Sequence, residues 1–145
     1  MLKRLMGTTN DVSLTILRVV LGVVFFAHGA QRMLGWFGGV GFHGAMEDLA
    51  HTGMPAPIAF LIICAQFFGG LGLVVGLLTR IASLGVAGLM VGAIFIVHMP
   101  YGFFMNWTGT QKGEGIEYHL LALAMAAALL LRGAGAFSMD RALTK

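Results

Sequence analysis

The sequence predicts an all-α integral membrane protein, a four-helix bundle with a short interfacial amphipathic helix between helices 1 and 2. Three features predict it. Four apolar stretches, at about 12–32, 58–78, 81–98 and 117–131, alternate with polar, aromatic or glycine-rich connections. The composition is 58% hydrophobic with only 10% charged residues, so lipid and not water is the solvent for most of the surface. The basic residues are dispersed at the ends of apolar runs, as topology signals are, and form no patch that would track phosphates; nucleic acid is excluded as a partner. The 145 residues make one domain, and the 22 glycines suit close helix packing in a bilayer.

The first span opens after Asn10 or Asp11, either of which can cap it, and runs to about Arg32. Arg18, Gly22, Phe25, Gly29 and Arg32 fall on one helical stripe, and His28, Gln31 and Arg32 share a face at i, i+3, i+4. Exposing an arginine to lipid at mid-depth costs on the order of 2.5–3.5 kcal/mol, so other helices are expected to cover that stripe. No acidic residue lies at the depth of Arg18 in the other spans, so its guanidinium is expected to bond carbonyls or water. Lys3 and Arg4 before an apolar run resemble the start of a secretory signal, but Arg18 inside the run favours a retained helix.

Past this span, Trp36, Phe37 and Phe42 sit where interfacial aromatic residues belong, among the glycines of an irregular turn. Phe42 to Thr52 reads as the amphipathic interfacial helix, ended by Gly53 and the prolines at 55 and 57. His43, Glu47 and His51 stand at i, i+4, i+8 on it, a spacing that offers weak metal ligands or simply a solvated face. The second span contains Gln66, an intramembrane polar residue, and a GxxxG pair at Gly72 and Gly76. Thr79 and Arg80 connect it to the third span as an antiparallel hairpin, and Gly85, Gly88 and Gly92 give that span a small-residue packing face. A polar and aromatic loop from Met99 to Ile116 leads into the fourth span, and Ser138 to Arg141 form a last turn or coil.

Lys3, Arg4, Arg80, Arg132, Arg141 and Lys145 flank one side of the spans, against Arg32 and Lys112 on the other. Six against two places both termini in the cytoplasm of a multi-pass inner-membrane protein. All five histidines, with Glu47, Asp48, Glu114 and Glu117, then fall on the outer side. Imidazole, carboxylate and guanidinium at bilayer depth can hydrogen-bond a quinone headgroup entering from lipid. His28, Gln31, Arg32, His98 and Glu117 are the residues expected around it, with Glu117 orienting His28 or else pairing with Arg32. Interfacial snorkelling alone also explains such a cluster. A haem on two of the histidines has no attachment motif behind it. Cys64 is the single cysteine, so the chain can build no disulfide, CxxC pair or iron–sulfur cluster, and any redox centre must come from a partner.

His28-Gly29-Ala30-Gln31-Arg32 followed by Leu34-Gly35-Trp36-Phe37-Gly38, the stretch from Gly72 to Arg80, and Glu117-Tyr118 opening the last helix together resemble the DoxX family of small four-helix membrane proteins. The resemblance covers nearly the whole chain. It implies a membrane subunit associated with an oxidoreductase, as in thiosulfate oxidation that delivers electrons to quinone, or in oxidative-stress complexes. Arg32 stands where the family usually has lysine, and Gln66 where it often has glutamate. The expected function is therefore an oxidoreductase-associated, quinone-interacting subunit with no intrinsic cofactor, its redox centre supplied by a soluble or membrane partner. The alternative is a non-catalytic scaffold or small-solute transporter. A homo-oligomer is compatible with either, and whether the chain itself is an enzyme is open.

Overall fold

The structure, a computed structural model, describes residues 5–144. Lys3, Arg4 and Lys145, counted above as topology charges, lie outside the described residues. Among the described residues there are helices and no strand. The main helices are α1 (Val12–Leu34), α2 (Gly41–His51), α3 (Ala56–Val75), α4 (Thr79–Ala93), α5 (Glu117–Arg132) and α6 (Met139–Thr144). α1, α3, and α4 with its continuation through Tyr101 are each long and apolar enough to cross a bilayer. α5 has 16 residues, about 24 Å at 1.5 Å per residue, and completes the four-helix bundle.

α1 starts at Asp11, whose carboxylate accepts from Ser13 N at 2.8 Å, and ends at Gly35 in the left-handed region. A short 3-10 turn, Trp36–Gly38, leads into the amphipathic α2, which buries Ala45 and leaves His43 and Glu47 exposed. Pro55 and Pro57 sit at the start of α3, where a missing N–H costs nothing.

The α3–α4 hairpin differs from expectation in register. α3 ends at Val75, and the connection is Gly76–Leu78 rather than Thr79–Arg80. Gly76 adopts φ +73 as the C-cap, with the N–H groups of Gly76 and Leu77 both donating to Gly72 O at 2.8 and 2.9 Å. Gly72 and Gly76 thus terminate a helix and do not form a GxxxG crossing.

The close crossing lies elsewhere, between α1 and α3. A Cβ on Gly29 would collide with the backbone of Gln66 and Phe67, and one on Gly70 with the backbone of Phe25 and Phe26. A Cβ on Gly22 would come within 2.7 Å of Val74 N. Between lipid and a protein interior there is little hydrophobic gain, so such backbone-to-backbone packing supplies much of the association. The core collects Leu21 and Phe25 of α1, Leu73 of α3, Val86 and Met90 of α4, and Ala122, Ala126 and Leu129 of α5.

Arg18 is 1% exposed, covered as the stripe required. Its Nη1 donates to Leu73 O at 2.5 Å and Val74 O at 2.7 Å, its Nε to Ala134 O at 2.9 Å and its Nη2 to Phe137 O at 2.6 Å. The carbonyls of Leu73 and Val74 belong to the last turn of α3, which has no helical donors left for them. Asp140, also 1% exposed, accepts from Leu78 N at 2.7 Å and Thr79 N at 2.9 Å, and so caps the start of α4 from the C-terminal segment. The expected last turn is therefore a short helix, α6, tied into the bundle.

Candidate functional site

α3 and α4 converge where a Cβ on Gly85 would lie 3.8 Å from Ala65 Cβ, and diverge from there. A Cβ on Gly88 or Gly92 would meet nothing within 4 Å. Of the three glycines expected to form a packing face, Gly85 meets α3 and Gly88 and Gly92 do not. All three make one wall of a cavity of about 490 Å³ between the two helices. Ile58, Leu61 and Ile62 line the opposite wall, and Leu49, Thr52 and Met54, at the end of α2 and just beyond it, close the top. Leu61 and Ile96 both line the cavity and are both exposed on the bundle surface, so its flank faces lipid.

Besides Thr52, whose hydroxyl donates to Leu49 O at 2.6 Å, three polar side chains break this apolar lining: Arg32 from α1, Gln66 from α3 and His98 after α4. The Oε1 of Gln66 is buried with no hydrogen-bond partner. His98 closes a five-residue π-turn, Ile94–His98, that prolongs α4. Its Nδ1 lies 2.8 Å from Glu114 O, and its ring packs on that of His119, centroids 4.1 Å apart. His119 is 4% exposed, and its Nδ1 has no partner. The cavity thus offers a cation, an amide and an imidazole among aliphatic walls. That arrangement can hold an amphiphile by a polar head and pack its apolar part.

The five expected site residues divide. Arg32 and His98 both line the cavity, as does Gln66, which the sequence assigned a structural role. His28 is exposed on α1 and does not line it. Gln31 Nε2 donates to Phe37 O at 3.3 Å and shapes the turn after α1. Glu117 meets neither His28 nor Arg32. Its Oε1 accepts from Met105 N at 2.9 Å and Trp107 Nε1 at 2.8 Å, so it organises the loop before α5. That these residues share one end of the bundle was legible, but which groups face each other depends on helix rotations that spacing within one helix does not supply. His43 and His51 are exposed on α2, and among the described residues no three His, Cys, Asp or Glu side chains converge as metal ligands. His119 went unassigned in the sequence, where only its place in the first turn of the last span hinted at a partner for His98.

The DoxX family model matches residues 13–99, a stretch that contains every residue lining this cavity and excludes α5. Among curated proteins, "Putative oxidoreductase CatD" of Bacillus subtilis (strain 168) is 28% identical over 135 residues, covering 93% of this chain and 90% of that one. "Inner membrane protein YqjF" of Escherichia coli (strain K12) is 29% identical over 140 residues, covering 97% and 98%. "Inner membrane protein YphA" of the same organism is 26% identical over 140 residues, covering 93% of each. No solved structure matches the chain. With a family match over more than half its length, an all-helical build and three bilayer-length apolar helices, the chain is a membrane protein that belongs to the DoxX family.

Proposed function

We propose that this protein is a quinone-binding membrane subunit of an oxidoreductase and that the α3–α4 cavity holds the quinone. The observation that carries this is the cavity itself, about 490 Å³, opening on the lipid-facing flank with Arg32, Gln66 and His98 at its polar groups. A quinoid ring carries oxygens for such groups to bond and is flat enough to lie along a wall that has no side chains at Gly88 and Gly92. Its apolar tail would pass out between Leu61 and Ile96. The name of the CatD relative, an oxidoreductase, points in the same direction. The quinone, when bound, supplies the redox chemistry, and the chain's residues bind and orient it. Electrons come from a partner subunit, because a single cysteine provides for no cluster or dithiol of the chain's own.

Mass spectrometry of the detergent-purified protein tests the proposal. An isoprenoid quinone should copurify at near-stoichiometric amount with the parent protein. Gly88→Leu and Gly92→Leu place side chains into the cavity where a Cβ has nothing within 4 Å, so both should fold with a melting temperature no lower than the parent's and lose the quinone. A preparation carrying phospholipid alone, or cavity-filled variants that retain quinone, would sink it.

A further inference from the structure

The hydrogen-bond roles at the cavity select between the two redox forms of a quinoid ligand. His98 Nδ1 lies 2.8 Å from the backbone oxygen of Glu114. That oxygen has no proton to give, so Nδ1 is the donor. In a neutral imidazole the other nitrogen, Nε2, then carries the lone pair and can only accept. The ring has little freedom to exchange the two nitrogens. It is fixed by the Glu114 bond and by His119, whose buried ring packs on it with centroids 4.1 Å apart.

Gln66 brings a buried amide oxygen without a partner. Its amide can turn to offer an N–H instead, so it serves either kind of ligand. Arg32 can only donate. The discriminating group is therefore His98, an acceptor that lines the same cavity as a fixed donor. A hydroquinone has hydroxyls that give a proton to His98 Nε2 and lone pairs that accept from Arg32. An oxidised quinone has carbonyl oxygens only and leaves Nε2 facing another acceptor, without a partner.

We propose that the Arg32–Gln66–His98 cavity prefers the reduced, hydroxyl-bearing form of its ring ligand, with His98 as the selecting residue and His119 as the positioning residue behind it. This rests on the cavity being a quinoid site. Discrimination by donor and acceptor pattern is typically much larger than discrimination by size, because a mismatched site is left with unpartnered buried groups.

The test uses the full chain in phosphatidylcholine nanodiscs, anaerobically at pH 8, where an ordinary imidazole is neutral. The probes are a decyl-substituted benzoquinone and the corresponding hydroquinone, titrated calorimetrically. The hydroquinone should bind at least tenfold more tightly to the parent protein. His98→Phe, which keeps a flat ring against His119 but has no acceptor, should bring the ratio close to one with an unchanged melting temperature. His119→Phe should preserve the ratio through stacking, and His119→Ala should lower it. Equal or tighter binding of the oxidised form by the parent overturns the preference, as does a His98→Phe protein that keeps the tenfold ratio. Failure of both probes to bind is a different result: it removes the quinoid reading of the cavity, and the preference with it.

Discussion

Three charged side chains do the work of helix caps from a distance. Arg18 satisfies the last carbonyls of α3, and Arg80 donates to Leu130 O and, at 3.2 Å, to Leu131 O at the end of α5. Asp140 takes the first N–H groups of α4. Each charge has the sign that the helix end favours, positive at a C-terminus and negative at an N-terminus. None of the three is a residue of the helix it caps. That is why the sequence showed that Arg18 must be covered but could not show by what: its acceptors Ala134 and Phe137 lie 116 and 119 residues away. Removing the guanidinium strands several buried carbonyls at ~1–3 kcal/mol each, so Arg18→Ala should lose on the order of 3–5 kcal/mol. Lysine has three donors at one point and can serve the adjacent carbonyls of Leu73 and Val74, but not Ala134 and Phe137 as well. Thermal unfolding in detergent should rank parent above Arg18→Lys above Arg18→Ala. Equal midpoints for all three would show that these bonds do not hold the tail to the bundle.

Among the helices, glycines that look alike in sequence fall into two classes. Gly22, Gly29 and Gly70 let α1 and α3 touch through their backbones, whereas Gly88 and Gly92 border open space. Periodicity found the buried stripe of α1, because Arg18, Gly22, Phe25 and Gly29 recur at helical spacing and all four are buried. It could not tell a glycine that meets a helix from one that meets a cavity, since both give a small-residue face. It also paired Gly72 with Gly76 where the chain was in fact ending a helix. Alanine separates the classes. Gly70→Ala puts a methyl group onto the Phe26 backbone, which cannot move aside as a side chain can, and should cost about 1–3 kcal/mol. Gly88→Ala meets nothing within 4 Å and should gain up to ~1 kcal/mol from helix propensity. The two melting temperatures should shift in opposite directions, and a parallel shift would contradict the packing.

For the molecule as a whole, the bundle has two chemically different ends. At one, Arg80 Nη2 reaches Gly7 O at 3.2 Å, Gly135 N donates to Thr8 Oγ1 at 2.7 Å, and Asp140 N bonds Gly76 O at 2.8 Å, so the N-terminal segment, the α3–α4 turn and the C-terminal segment meet. The basic residues Arg80, Arg132 and Arg141 gather there, while His98, His119, Glu114 and Glu117 stand at the other end with Lys112. The distribution of basic residues sets the side on which an end is retained, so the Arg80 end should face the cytoplasm. The cavity would then open in the outer half of the bilayer, and a ligand of the proposed kind would exchange with that leaflet. Reporter fusions decide it. A reporter active only in the cytoplasm should be active after Lys145 and silent within the loop at Lys112, and one active only outside should give the reverse. The same response at both points would mean that α5, 16 residues long, does not cross, and the loop before it would share a side with the tail. That outcome would also break the hydrogen bonds from Arg18 to Ala134 O and Phe137 O and from Leu78 N and Thr79 N to Asp140, which tie the tail to the opposite end of the bundle.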